Sequence, residues 1–202
     1  MLDGVVRKQI DPVLDAIGKK MAGAGITANG VTIAAFLVGV AAAVSISQMW
    51  FWTGLMLLLF SRLLDGLDGC VARATSPTDF GGYLDIVLDF AFYGMIPFAF
   101  IVVDPAENAI AGGLLILSFY VNGASFLAYA TMAEKRGLST DQRGSKSLYF
   151  TTGLAEGTET IVTFVLFCLL PQWFAVIAYI FAGVCFYTAL SRIVLAREVF
   201  KD

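Results

Sequence analysis

Six apolar stretches, near residues 29–47, 50–74, 80–103, 109–133, 149–170 and 173–195, decide what this chain can fold into. A helix rises about 1.5 Å per residue and the hydrocarbon core of a bilayer is about 30 Å thick, so each stretch is long enough to span it. Inside hydrocarbon every backbone N–H and C=O must be satisfied within the segment, which makes helices the solution for runs of this length. The expected fold class is therefore all-α, a polytopic membrane protein whose single domain is 1–202, with a six-helix transmembrane bundle over 29–198. The hydrophobic share, 58%, is above the balance of soluble proteins and agrees.

Residues 1–24 follow a different pattern. Val6, Ile10, Val13, Leu14, Ile17 and Met21 recur at steps of three and four, with Arg7, Lys8, Asp11, Asp15, Lys19 and Lys20 between them. That spacing predicts an amphipathic helix lying in the membrane interface. It has no apolar core of the kind a signal peptide needs. The run GAGITANG ends it, and Thr27 or Asn29 is placed to cap the helix that follows. Ser76-Pro77 breaks the chain between the second and third spans, and Pro171 marks the turn between the fifth and sixth. The fifth span is the least regular, with Glu156 and Glu159 in its first half.

Basic residues cluster before the first span, at the end of the second (Arg62, Arg73), between the fourth and fifth (Lys135, Arg136, Arg143, Lys146) and at the C-terminus (Arg192, Arg197, Lys201). The opposite connections, near Gln48, 104–108 and 171–172, contain none. An even number of spans places all these cations on one side, so both termini are expected in the cytoplasm, with a prokaryotic inner membrane as the expected location. The net charge of −3 and the lack of a basic run give no reason to expect nucleic acid as a partner.

Against this background one segment is out of place. DGLDGCVARATSPTDFGGYLDIVLDF carries Asp65, Asp68, Asp85 and Asp89 between the most apolar parts of the chain. A charge at bilayer depth costs about 2.5–3.5 kcal/mol on insertion scales. The charge topology moves the run to the cytoplasmic turn between spans two and three, which lowers that cost. On a helix, Asp65 and Asp68 stand about 60° apart, and Asp85 and Asp89 about 40°. Each pair therefore shares a face, and a hairpin can bring the two faces together. Mutual repulsion disfavours such a group unless cations neutralise it. Four carboxylates are enough for two divalent ions, the usual clamp for attack at phosphorus.

The chain has no histidine, which excludes Ser-His and Cys-His nucleophilic sites and imidazole zinc sites. Any metal site must be built mainly from oxygens, which favours Mg²⁺, Mn²⁺ or Ca²⁺. Cys70, Cys168 and Cys185 show neither metal-ligand nor disulfide spacing and read as small buried residues. Gly69 and Ala72 fall by the first acidic face, leaving room for a flat ligand. Gly81 and Gly82 fall on the second, where small residues also serve close helix packing. Arg73, one turn past Gly69, can meet a phosphate or snorkel to the interface.

At Asp65, Asp68, Gly69, Ala72, Arg73, Gly81, Asp85 and Asp89 the sequence resembles the CDP-alcohol phosphatidyltransferase family, whose pattern is Asp-x2-Asp-Gly-x2-Ala-Arg, a spacer, then Gly-x3-Asp-x3-Asp. The spacer, Ala74 to Phe80, is one residue shorter than is usual there. The start of the first span, Ala28-Asn29-Gly30-Val31-Thr32, is similar to the family's Pro-Asn-x-x-Thr with the proline lost. An amphipathic helix followed by six spans is also the family's plan. The resemblance implies phospholipid biosynthesis: transfer of a phosphatidyl group from a CDP-linked lipid, commonly CDP-diacylglycerol, to an alcohol, with release of CMP. It implies Mg²⁺ or Mn²⁺, two ions, held by Asp65, Asp68, Asp85 and Asp89, with Asp89 also the general base. Gly69, Ala72, Arg73, Gly81, Asn29 and Thr32 would line the CDP pocket. Homodimers are common in the family.

The acceptor is less legible. Lys135, Arg143 and Lys146 lie in a basic cytoplasmic loop that suits an acceptor phosphate, or anionic lipid alone. Family members that use inositol phosphate tend to carry arginines where this chain has Gly-Leu-Ala-Glu-Gly-Thr-Glu-Thr, 153–160; Arg192 does match a basic position of that group. The missing arginines point to another hydroxyl acceptor. Glu156 and Glu159 would contact a polyol or amine, or favour a helix N-terminus. The alternative of another class is a divalent-cation transporter or channel using the same aspartates, but a conducting path needs polar residues through the full thickness. A relative with a dead site is disfavoured by the presence of all four aspartates.

Overall fold

The computed structural model describes residues 3–137 and 154–201, with side chains from Pro12 onward. The described residues form seven α-helices and no strand: α1 (Asp3–Gly23), α2 (Ala28–Ser47), α3 (Phe51–Ala74), α4 (Asp79–Val103), α5 (Pro105–Lys135), α6 (Gly157–Leu169) and α7 (Phe174–Val199). A short 3-10 turn, Pro171–Trp173, joins α6 to α7. Four segments, α2, α4, α5 and the turn with α7, are long and apolar enough to cross a membrane. The protein is thus an all-helical membrane protein. Helix α3, which carries Arg62, Asp65, Asp68 and Arg73, and the shorter apolar α6 of 13 residues fall outside these four.

The helix ends follow local chemistry. Thr27 caps α2, its Oγ1 accepting from the Gly30 N–H at 3.2 Å. Thr78 caps α4 in the same way, accepting from the Gly81 N–H at 3.0 Å, directly after the Ser76-Pro77 break. Asp104 caps α5 ahead of Pro105 at its first position, accepting from the Glu107 N–H at 3.1 Å. Glu156 stands at the cap position of α6 without a side-chain cap bond, and Glu159 lies in its first turn.

Helix α2 packs on both α3 and α4, α5 joins α4 to α7, and α1 lies along α3. The buried phenylalanines of the main core come from three helices, α4, α6 and α7. Phe100 stacks on Phe174 at 4.9 Å between centroids, Phe167 meets Phe174 at 4.6 Å, and Phe92 and Phe164 are fully buried beside them. A smaller cluster of Val31, Leu67 and Val71 holds Leu14, Met21 and Ala22 of α1. Gly18 permits that contact, because a Cβ there would lie 2.6 Å from Cys70 Cβ. Only part of the apolar stripe of α1 is used in this way: Val13 and Ile17 remain exposed.

Candidate active site

The last turns of α3 and the first turns of α4 place the aspartates at one end of the bundle. One carboxylate oxygen from each of Asp65, Asp68 and Asp85 lies within 4.8 Å of the other two. Asp68 is buried and Asp65 and Asp85 are half-buried. The Thr32 hydroxyl of α2 donates to Asp68 Oδ2 at 2.6 Å and fixes that carboxylate. An all-oxygen, multiply anionic donor set of this spacing fits a hard divalent cation. That agreement comes from the carboxylates themselves, since no histidine exists to compete.

Asp89 lies deeper along α4 and is held differently. Its Oδ1 accepts from Arg62 Nη1 at 2.6 Å, and the same nitrogen is 3.4 Å from Asp65 Oδ1. The Arg62 side chain is only 7% exposed. Its guanidinium carbon sits 3.8 Å from the centroid of the Phe92 ring, and its Nη2 donates to Ser61 Oγ at 3.2 Å. In the sequence Arg62 counts only toward the cytoplasmic positive charge. Its one-turn spacing to Asp65 was the available signal.

A cavity of about 600 Å³ opens beside the carboxylates, lined by the α1–α2 link, the start of α2, the end of α3 and the start of α4. Asn29, Thr32, Gly69, Ala72 and Gly81 all border it, together with Asp68 and Asp85. Gly81 is required there: a Cβ would lie 2.9 Å from Asn29 Oδ1 and 3.0 Å from Thr78 Oγ1. At Gly82 a Cβ would meet nothing within 4 Å, so this glycine borders open space and makes no close helix contact. The Ser76–Thr78 turn and the Gly25–Ala28 link complete the rim, contributions that side-chain chemistry alone does not reveal.

Arg73 is not among the lining residues. It turns toward α1, where its Nη2 donates to Asp15 Oδ1 at 2.9 Å. That contact holds the Asp15 carboxyl below its ordinary value. Arg73 Nη1 nevertheless stays 3.4 Å from the position of a Cβ on Gly69, at the cavity's edge.

Of the candidate acceptor residues, Arg143 and Lys146 lie outside the described residues, and Lys135 ends α5. Arg192 is half-buried in α7, its Nη1 donating to Asn122 O, Asn122 Oδ1 and Ser125 Oγ at 3.0, 2.9 and 2.6 Å. The α6 end bearing Glu156 is tied to the same helix, because the Leu154 and Ala155 N–H groups donate to Thr188 Oγ1 at 3.2 and 3.1 Å.

The profile of a family described as CDP-alcohol phosphatidyltransferase matches residues 25–190. An inner membrane protein of Escherichia coli (strain K12), YnjF, is 45% identical over 193 residues, 96% of this chain and 94% of that one. An archaetidylinositol phosphate synthase of Methanothermobacter thermautotrophicus is 28% identical over 98% of this chain and 93% of its own. Among solved structures, the phosphatidylinositol phosphate synthase PgsA1 of Mycobacterium tuberculosis with CDP-DAG bound has the same fold, with a TM-score of 0.69 at 21% identity, covering 92% of this chain and 94% of that one. The same synthase in complex with manganese and citrate superposes with a TM-score of 0.57 at 22% identity, over 89% and 87% of the two chains.

Proposed function

The chain belongs to the CDP-alcohol phosphatidyltransferase family, and from that premise we propose that it transfers the phosphatidyl group of a CDP-linked lipid, such as CDP-diacylglycerol, to an alcohol and releases CMP. The observation that carries this reading is the convergence of Asp65, Asp68 and Asp85, of which Asp68 and Asp85 line a cavity of about 600 Å³ bordered by Gly69, Ala72 and Gly81. The solved synthase with CDP-DAG bound supports a CDP-linked lipid as donor.

Asp65, Asp68 and Asp85 would hold a divalent cation, Mg²⁺ or Mn²⁺, with Thr32 keeping Asp68 in place. When bound, such a cation neutralises the pyrophosphate and stabilises the departing phosphate of CMP. The small residues on both sides leave a flat slot for the nucleotide, and the Gly25–Asn29 and Ser76–Thr78 segments close its far wall. Asp89 takes the proton of the acceptor hydroxyl as its oxygen attacks the lipid phosphate. The bond from that phosphorus to the CMP oxygen breaks, and the lipid keeps its phosphate as a diester. The polar site at one end of an apolar bundle suits a donor with a charged head and two tails.

The spans number six, with α3 and α6 joining the four helices that are long and apolar enough to cross a membrane, and α1 lies in the cytoplasmic interface with its Val13 and Ile17 against lipid. Both termini are then cytoplasmic, in an inner membrane. For the acceptor, the lack of arginines over 153–160 and the presence of Glu156 and Glu159 there favour a hydroxyl compound other than inositol phosphate. Glu156, Arg192 and Lys135, with Arg143 and Lys146, are its candidate contacts. The test is an acceptor screen with the purified protein and CDP-diacylglycerol, the product lipids being read by mass spectrometry. Glycerol 3-phosphate, inositol, inositol phosphate, serine, choline and ethanolamine form the panel. A product with one of the others supports the reading, and a product with inositol phosphate alone removes the acceptor assignment while leaving the transferase. An ion flux without any CMP release is the outcome a cation transporter would give.

A further inference from the structure

Arg62 is placed too deliberately to be a stray interfacial charge. It stands one turn before Asp65, 93% of its side chain is out of contact with solvent, and it is fixed from several directions. The Phe92 ring lies under the guanidinium, and Ser61, itself anchored by donating to the Ala35 carbonyl at 2.7 Å, accepts from Nη2. Phe92 reaches this position because α2 has Gly39 there; a Cβ at Gly39 would lie 2.7 Å from Phe92 Cδ2. Three helices thus hold one cation at the junction of Asp65 and Asp89. An arginine at such depth is costly and persists where it is paired with function.

We propose that Arg62 is a positioning residue that serves as a resident cation between Asp65 and Asp89, holding Asp89 by one oxygen and limiting the aspartate cluster to a single tightly held divalent ion at Asp65, Asp68 and Asp85. This rests on the metal-dependent transfer proposed above and departs from the expectation of two ions. The geometry gives the reason. A second ion shared by Asp65 and Asp89 must compete with a guanidinium nitrogen already 2.6 Å from Asp89 Oδ1 and 3.4 Å from Asp65 Oδ1. Charge repulsion between the two cations is strong in a site shielded from water. A guanidinium cannot lose its proton to relieve that repulsion. With Oδ1 engaged, the second oxygen of Asp89 is left for the acceptor proton, so one contact sets both the metal count and the orientation of the base.

The experiment is a Mn²⁺ titration of the purified full chain, without donor, followed by electron paramagnetic resonance and by counting bound ions. The wild type is expected to take one tight Mn²⁺ per chain with the spectrum of an isolated ion. Arg62→Lys keeps the charge and is expected to keep one. Arg62→Met removes the charge at similar length and is expected to gain a second tight ion whose spectrum shows exchange coupling to the first. Two coupled tight ions in the wild type overturn the proposal, as does a single ion in a folded Arg62→Met protein. If Arg62→Met does not fold, the wild-type and Arg62→Lys stoichiometries still decide it. A wild type that binds no Mn²⁺ contradicts the proposed function itself, a result distinct from two ions.

Discussion

Asp89 and Thr32 make the residue-scale account testable, because each acts through one contact. Asp89→Asn removes the proposed base while preserving shape, so turnover should fall about 10²–10⁴-fold, with CDP binding retained, as single-turnover assays and thermal shift can separate. Thr32 donates to a carboxylate of the metal set rather than to the metal. Thr32→Val should therefore weaken divalent-ion affinity by about 10–100-fold, read by calorimetric titration with Mn²⁺. Asp15 competes with any phosphate for Arg73. Asp15→Asn should tighten CDP binding and leave the melting temperature of the free protein near its original value. The pair also has a defined pH sign. A carboxyl held below its ordinary value favours the docked α1 above about pH 4 and loses that effect as acid protonates it. The four aspartates were legible in the sequence because helical periodicity turns spacing into a shared face. Arg62 and Asp15 were not. Asp89 lies 27 positions from Arg62 and Arg73 lies 58 from Asp15, and a cation at the end of an apolar run reads first as topology charge.

Among elements, the hairpin of α3 and α4 does its work only if α4 keeps its register. Gly123 of α5 sets that register, since a Cβ there would run into the Phe90 ring, next in sequence to Asp89. Gly123→Val should push α4 from α5, lower stability by about 1–3 kcal/mol, and reduce activity further than the stability loss explains; thermal unfolding and turnover measured together check this. Most helix bounds followed from apolar runs and turn residues, with Ser76-Pro77 and Pro171 where they break the chain. The described part of the fifth span was the exception, starting at Gly157 where the apolar run suggested 149. Periodicity cannot tell a capping glutamate from one inside a helix, and Glu156 takes the cap position. The long-range tie of the α6 start to Thr188 has no local signature at all.

As a whole molecule the protein puts a phenylalanine core in the body of the bundle and its ionisable cluster at one end. That arrangement follows from the cost of charge in hydrocarbon, and it explains why fold class was readable from composition while the acceptor was not: the donor chemistry is written in one motif, the acceptor's in scattered residues. The three cysteines are buried, so introduced cysteines can report topology with little background. Lys201→Cys should be modified only from the cytoplasmic side and Gln48→Cys only from the opposite side, if six spans are crossed. The central claim is tested most directly by CMP release from CDP-diacylglycerol by the purified protein, supplied with the acceptor panel. The account predicts release that requires Mg²⁺ or Mn²⁺, stops on chelation and is lost in Asp65→Asn. Release that persists undiminished in chelator, or in Asp65→Asn, would contradict it.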